Sequence, residues 1–455
     1  MKYIFYNLLL FSILFYSCEN AKDYKSDAEK YYKEKKYEDA LNSINNAIRL
    51  EPDSIGHYAF RILLFDLTGR HKEEMSDLST AIELNKKRNS KSLIFHHQRA
   101  VVKLQLGLYK EALLDIDYFI ENRDTVGNLT EAYLNKGSIL YKMGDLENAE
   151  NFYELALKEN IGKEKSLESQ GLVGLANLSK SPQDALKLLD KAIAINDSCA
   201  TAYGSRGVIY LNLAKIDLAQ KDFKKAISYI NQNEIDGATI YFNMGQLFLN
   251  YLNNSDSATK YFEQAIKLSP QSPNNDFIYM NLGCIRHRSG DLDNALINFQ
   301  KAETINPQND ILLYNFALLL SDLNRNADAL EKINKAIKIN SKDDDYFDTK
   351  GTILSALSSF KEAEIAYKKA IEINPKSGGA YYNLGYLLGE QNNYEQSIKY
   401  YDKAVLLNFD LEASLVNRAL LKIKIKNTSS ACNDLERAYK LGRTDIKPLI
   451  EKTCN

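Results

Sequence analysis

Alanine recurs at a fixed distance of 34 residues through the last third of this 455-residue chain. The regular positions are Ala302, Ala336, Ala370, Ala404 and Ala438. Toward the N-terminus, in steps of 34 to 39 residues, the same position is held by Ala265, Ala226, Ala192, Ala156, Phe119, Ala81 and Ala47. A period of this length is typical of repeat proteins, in which each repeat is one small structural unit. The sequence therefore predicts about twelve repeats between residues 23 and 440.

Each repeat is predicted to be a pair of amphipathic helices, because its apolar residues recur at spacings of three and four. In the eighth repeat Gly283 and Ala295 are small, as two closely packed helices require. Tyr279 and Phe299 supply the aromatic bulk between helix pairs, and Pro307 ends the second helix. One pair cannot bury its apolar face alone, so neighbouring pairs must stack. The expected fold is an all-α solenoid.

The order of residues within a repeat resembles the tetratricopeptide pattern. The eighth repeat reads Tyr279-x2-Leu282-Gly283, then Ala295-x3-Phe299-x2-Ala302, then Pro307. The tenth reads Phe347-x2-Lys350-Gly351, then Ala363-x3-Tyr367-x2-Ala370, then Pro375. Tyr, Phe or Leu replaces the Trp that the family often has at the first aromatic position. The resemblance implies a right-handed superhelix of helix-turn-helix repeats, followed over residues 441–455 by a C-terminal capping helix.

The N-terminal segment is predicted to be a signal peptide. The apolar run of about 14 residues from Tyr3 is too short to span a bilayer and is followed by the small residue Ser17. Ser17-Cys18 resembles the lipobox of bacterial lipoproteins, with Phe15 where the family usually has Leu. This resemblance implies a signal over residues 1–17, lipidation of Cys18 and a linker over 18–22, in an exported protein anchored to a bacterial membrane. The alternatives are a simple secretory signal with an incidental cysteine and an uncleaved anchor.

Two of the five cysteines are predicted to pair at the C-terminal end. Cys432 begins the second helix of the last repeat and Cys454 ends the capping helix, so antiparallel packing of these helices would bring them together. The same arrangement resembles the ends of other exported bacterial repeat proteins. The alternative is two half-buried thiols. Cys199 and Cys284 lie too far apart in the array to pair.

No motif in the sequence indicates catalysis or a cofactor. The net charge of −2 provides no basic field, which argues against nucleic acid as a partner. Cys284 and His287 have a spacing that metal ligands use, but no third ligand accompanies them. Asp343-Asp344-Asp345 is expected to cap a helix, because the spaced ligands of a calcium loop are absent. We therefore expect no metal site and no enzyme.

One polar residue does recur, and it suggests a binding face for a protein partner. Asparagine stands two residues before the small residue of the first helix at Asn135, Asn243, Asn281, Asn315, Asn383 and Asn417. In tetratricopeptide arrays this position lies toward the concave wall, where amides can bind the backbone of an extended peptide. The alternative is that each amide is bound locally.

Two functions follow from these patterns. The first is a membrane-tethered scaffold that binds an extended segment of a partner protein along its concave face. The second is a surface lipoprotein that captures carbohydrate or another nutrient on exposed tyrosines, suggested by the pairs Tyr31-Tyr32, Tyr381-Tyr382 and Tyr400-Tyr401.

Overall fold

The structure is a computed structural model that describes residues 20–90, 93–122, 129–160, 163–230 and 236–454. The predicted signal peptide and the predicted lipidation site Cys18 lie outside these residues. The first helix begins at Ala21, so the expected boundary between linker and repeats at residue 23 is two residues late. Asn20 fixes this start, because its side chain accepts a hydrogen bond from the backbone of Asp23 while the Asp23 carboxylate accepts one from the backbone of Asn20.

The described residues form twelve consecutive helix pairs, which confirms the predicted number of repeats. The pairs of the first six repeats are α1 Ala21–Lys33 and α2 Tyr37–Leu50, α3 Ile55–Leu67 and α4 His71–Lys87, α5 Ile94–Gln105 and α6 Tyr109–Asn122, α7 Thr130–Met143 and α8 Leu146–Glu159, α9 Lys165–Leu178 and α10 Pro182–Ile195, α11 Ala200–Asn212 and α12 Ile216–Tyr229. Those of the last six are α13 Asp236–Asn250 and α14 Ser255–Leu268, α15 Asn275–Arg288 and α16 Leu292–Ile305, α17 Asp310–Asp322 and α18 Asn326–Ile339, α19 Asp344–Ala356 and α20 Phe360–Ile373, α21 Gly378–Glu390 and α22 Tyr394–Leu406, α23 Leu411–Lys424 and α24 Thr428–Lys440.

The 34-residue period has a direct physical cause in the packing. Every alanine of the recurring series, from Ala47 to Ala438, has no exposed surface, and the one substitute, Phe119, is half-buried. The small residue of the first helix lies against an aromatic ring of the second: a Cβ added at Gly283 would lie 2.9 Å from Phe299, and one at Gly245 would lie 2.5 Å from Phe262. Larger side chains at these positions would push the two helices apart.

The fifth repeat differs from the others at its internal turn. In the remaining repeats one residue between the two helices has a positive φ, for example Gly107 (75°) and Asn324 (57°), and reverses the chain in the left-handed conformation. The fifth repeat is one residue shorter between Gly174 and Ala185 and has no such residue. Its second helix starts instead from Ser181, whose hydroxyl accepts a bond from the backbone of Asp184, with Pro182 in the first turn.

A short helix closes the last repeat, as predicted. Thr444–Ile446 form one 3₁₀ turn that leads into α25, Lys447–Cys454. Ile446 is buried, and Leu449 and Ile450 pack against the core of the twelfth repeat. The Cys432 and Cys454 sulfur atoms are bonded, which ties the end of α25 to the start of α24.

The described residues form two compact bodies. The N-terminal body ends at Asn275, and the C-terminal body begins at Asp276 in the first turn of α15. The helices of the part of the chain that is described are all too short or too polar to cross a lipid bilayer.

Candidate functional site

The six asparagines of the predicted row all lie on first helices and are all half-buried, but their amides do different things. The side chains of Asn281 and Asn315 each form a hydrogen bond with their own helix. Their Nδ2 atoms donate to the carbonyl oxygens of Phe277 at 2.7 Å and Ile311 at 2.8 Å. At these two positions the amide nitrogen is bound locally, as in the alternative considered from the sequence.

Three other asparagines connect successive first helices. Asn135 Nδ2 lies 3.0 Å from His97 Nε2, and Asn417 Nδ2 donates to the Tyr382 hydroxyl at 2.9 Å. Asn383 Nδ2 donates to Asp348 Oδ1 at 2.9 Å. Burial raises the pKa of Asp348 to about 6, although the hydrogen bond from Asn383 lowers it. These amides bind neighbouring repeats of their own chain.

Asn243 lines a cavity of about 1800 Å³ in the N-terminal body, and Asn135 lies on the same wall. The wall is built mainly by the first helices of repeats three to seven, and we call it the inner face. The cavity lining is rich in side-chain amides: Gln105, Asn135, Gln170, Asn177, Asn196, Asn212, Asn243 and Asn274. Its charged residues are Lys142, Lys165, Lys180 and Glu131, which gives three positive charges against one negative charge. The inner face is therefore polar, able to donate and accept hydrogen bonds, and weakly positive.

The N-terminal body closes on itself beside this cavity, at a place that we call the closing contact. The side chain of Gln271, in the turn after α14, accepts a bond from the Lys72 backbone at 2.8 Å and donates to Glu73 Oε2 at 3.0 Å. In the same turn Pro270 packs on Gly69, where an added Cβ would come within 2.7 Å of the proline ring. The end of the seventh repeat thus contacts the turn of the second repeat, almost 200 residues earlier in the chain.

The described residues include four buried ion pairs that were not predicted from the sequence, and we call them the arginine clamps. In each, an arginine of the first helix binds an aspartate of the second helix sixteen residues later: Arg61–Asp77, Arg99–Asp115, Arg206–Asp222 and Arg418–Asp434. Arg206 donates to both oxygens of Asp222, at 2.7 and 2.9 Å, and to Asp190 in the preceding repeat at 2.7 Å. The hydrogen bonds to Asp222 raise the pKa of Arg206 above its ordinary value. Because each clamp uses the same repeat positions, the recurring Arg and Asp could have revealed it.

The tyrosine pairs contribute to the helix packing. Tyr382 meets Tyr401 edge to face at a centroid distance of 5.5 Å, and Tyr381 lies 6.3 Å from Tyr400. Tyr32 meets Phe60 at 5.8 Å. All six side chains are buried or half-buried, so these pairs do not offer exposed platforms on which sugars could stack.

Cys284 and His287, whose spacing metal ligands can use, have other contacts in the structure. Burial raises the pKa of the Cys284 thiol, which disfavours the thiolate that binds metals. His287 Nε2 lies 2.7 Å from Asp322 Oδ2.

Comparison with known proteins identifies the repeats. Tetratricopeptide-repeat family profiles match residues 130–160, 200–233, 238–272, 278–309, 345–377 and 366–399. The chain is 24% identical over 301 residues to the TPR repeat-containing protein MJ1428 of Methanocaldococcus jannaschii, covering 62% of this chain and 50% of that protein. It is 26% identical over 188 residues to the DnaJ protein P58IPK homolog of Arabidopsis thaliana, covering 38% of this chain and 37% of the relative. The chain thus spans half or less of the length of these curated relatives.

The chain also aligns with solved structures. Yeast Tom70 aligns over 95% of this chain and 98% of its own, with 20% identity and a TM-score of 0.36. Cut9, from the APC/C hetero-tetramer Cut9–Hcn1, aligns over 97% of this chain and 98% of its own, with 13% identity and a TM-score of 0.46.

Proposed function

Because the chain carries tetratricopeptide repeats, we propose that it is a non-catalytic scaffold that binds an extended segment of another protein along the inner face of its N-terminal body. The observation that carries this proposal is the cavity of about 1800 Å³ with its amide-rich wall. A side-chain amide both donates and accepts, so it can bind the N–H and C=O groups that an extended backbone presents. The excess of lysines favours a segment with net negative charge.

The inner face offers one asparagine of the predicted row, Asn243, together with Asn177, which the sequence pattern did not indicate. Asn281 and Asn315 give their amide nitrogens to their own helices. Asn177 and Asn243 lie on the cavity wall. The N-terminal body therefore offers a better site for the partner than the middle of the asparagine row.

A peptide selection against the full chain tests this assignment. Twelve-residue peptides from a random library would be selected on the protein, and their affinities measured by fluorescence anisotropy. We expect Asn177→Ala with Asn243→Ala to weaken binding about 30-fold, since two hydrogen bonds contribute roughly 1 kcal/mol each. Asn281→Ala with Asn315→Ala is the matched control and should leave the affinity unchanged. If only the control pair weakens binding, or if no selected peptide responds to the first pair, the inner face is not the site.

The proposal includes a membrane tether through a lipid on Cys18. The apolar N-terminal run and the Ser17-Cys18 sequence support it. The scaffold would then be an exported protein that works at a bacterial membrane surface. Metabolic labelling with a fatty-acid analogue should mark the wild type and leave Cys18→Ala unlabelled, and equal labelling of both would exclude this anchor.

A further inference from the structure

We infer that Asp66, His71 and Glu74 form a binding site for one divalent transition-metal ion in the second repeat. One possible ligand atom from each side chain lies within 4.8 Å of the other two. Asp66 is the penultimate residue of α3, His71 begins α4, and Glu74 follows one helical turn later on the same face. The turn between α3 and α4 therefore brings together three side chains whose spacing in the sequence did not indicate a metal site.

The two carboxylates of the cluster share one imidazole, which carries at most one positive charge, and Asp66 is the most exposed of the three side chains. His71 and Glu74 are only 2% and 5% exposed, and His71 Nδ1 lies 3.0 Å from Glu74 Oε2. Among the described ion pairs, neither Asp66 nor Glu74 has a lysine or arginine partner. The buried aspartates of the arginine clamps, in contrast, each bind an arginine. Buried carboxylates in proteins are generally paired with a cation or coordinate a metal.

A divalent ion would supply the missing charge. It would replace the hydrogen bond between His71 and Glu74 with two metal bonds.

The ligand set selects the class of ion. Imidazole nitrogen with two carboxylate oxygens suits zinc, manganese, iron(II) or cobalt, whereas magnesium and calcium prefer sites made of oxygen alone. Three protein ligands leave at least one coordination position for water.

A bound ion would lie next to the closing contact of the N-terminal body. Gly69 lies between the ligands in the sequence, and Lys72 and Glu73 lie beside His71 on α4. These three residues form one side of the closing contact. A bound ion would therefore hold the turn on which the N-terminal body closes.

The test uses the full chain, freed of metal with a chelator and titrated with Co²⁺ and Zn²⁺. We expect one ion per chain, seen by calorimetry and by the visible absorption of bound Co²⁺. His71→Asn and Glu74→Gln, which keep nearly the same shape, should each weaken binding at least tenfold. Circular dichroism would check that both variants retain the helical fold.

His287→Asn is the matched control, because His287 also contacts a carboxylate, Asp322, but belongs to no three-residue cluster among the described residues. It should bind the ion like the wild type. The inference is overturned if no ion binds below about 100 μM free metal, a range in which tight and moderate sites both fill. It is also overturned if binding survives in folded His71→Asn and Glu74→Gln, or if it depends on His287.

Discussion

Replacing Asp222 by asparagine should lower the local stability of the sixth repeat far more than replacing Asp190 by asparagine, although both carboxylates bind Arg206. The Asp222 side chain is 7% exposed and accepts two hydrogen bonds from the guanidinium. The Asp190 side chain is 61% exposed and accepts one. The two substitutions therefore compare a buried and an exposed ion pair on a single arginine.

The expected magnitudes follow from burial. Removing one partner of a buried pair costs about 3–5 kcal/mol, because the other charge stays buried without compensation. Asparagine keeps the volume of aspartate and Arg206 keeps Asp190, so we expect the lower end of this range for Asp222→Asn. The exposed pair contributes less than about 1 kcal/mol. Since about 1.4 kcal/mol corresponds to a factor of ten, Asp222→Asn should favour opening roughly 150-fold and Asp190→Asn less than about fivefold.

Amide hydrogen exchange followed by mass spectrometry can measure this difference within one repeat. The relevant peptides cover α11, Ala200–Asn212, and α12, Ile216–Tyr229. Exchange is preferable to a denaturation midpoint, because a repeat array need not unfold in one step. Equal acceleration by both substitutions, or less than fivefold acceleration by Asp222→Asn, would refute the reasoning that burial sets the strength of these clamps.

Two further predictions concern the C-terminal body. Burial raises the pKa of Asp348 to about 6 from an ordinary value near 3.8, so the tenth repeat should be most stable below about pH 4 and lose up to about 3 kcal/mol as the pH rises through 6. Amide exchange in α19 and α20, corrected for the intrinsic pH dependence of exchange, should show this loss in the wild type and not in Asp348→Asn, and an unchanged slope in the variant would contradict the assignment. Replacing Cys432 and Cys454 by serine should accelerate amide exchange in α25 roughly 150-fold, since the 22-residue separation corresponds to about 3 kcal/mol in the chain-entropy model. If the serine variant exchanges at the wild-type rate, packing alone holds this helix in place.

The features that could be predicted from the sequence are those that depend on neighbours in the chain. Helix pairs, the small residues where paired helices approach and the capping helix all follow from local periodicity. The sequence predicted that Gly283 is small for close packing, but the structure revealed that the ring against it is Phe299 of the same repeat. The amide partners could not be predicted in the same way. Asn281 and Asn383 occupy one repeat position, yet one binds its own helix and the other binds Asp348 in the preceding repeat. That choice depends on which residue the neighbouring helix offers.

The closing contact and the cluster beside it could not be predicted for a different reason. Pro270 lies just after the end of α14, but its packing on Gly69 depends on the curvature added by every repeat between them. A small change of angle per repeat, multiplied along the array, decides whether the two turns meet. The cluster of Asp66, His71 and Glu74 depends instead on how one turn is folded, which residue spacing alone leaves open.

The closing contact also fixes the copy number of the repeats that it encloses. An open solenoid can gain or lose an internal repeat by duplication or deletion, because each unit recognises only its neighbours. Between the second and seventh repeats, such a change would move Gln271 by one step of the superhelix and take it away from Lys72 and Glu73. Between the second and seventh repeats, a few residues added to a loop should therefore be tolerated. The gain or loss of a whole repeat should be selected against. The N-terminal body would then evolve as a ring of set circumference, with a cavity of set size.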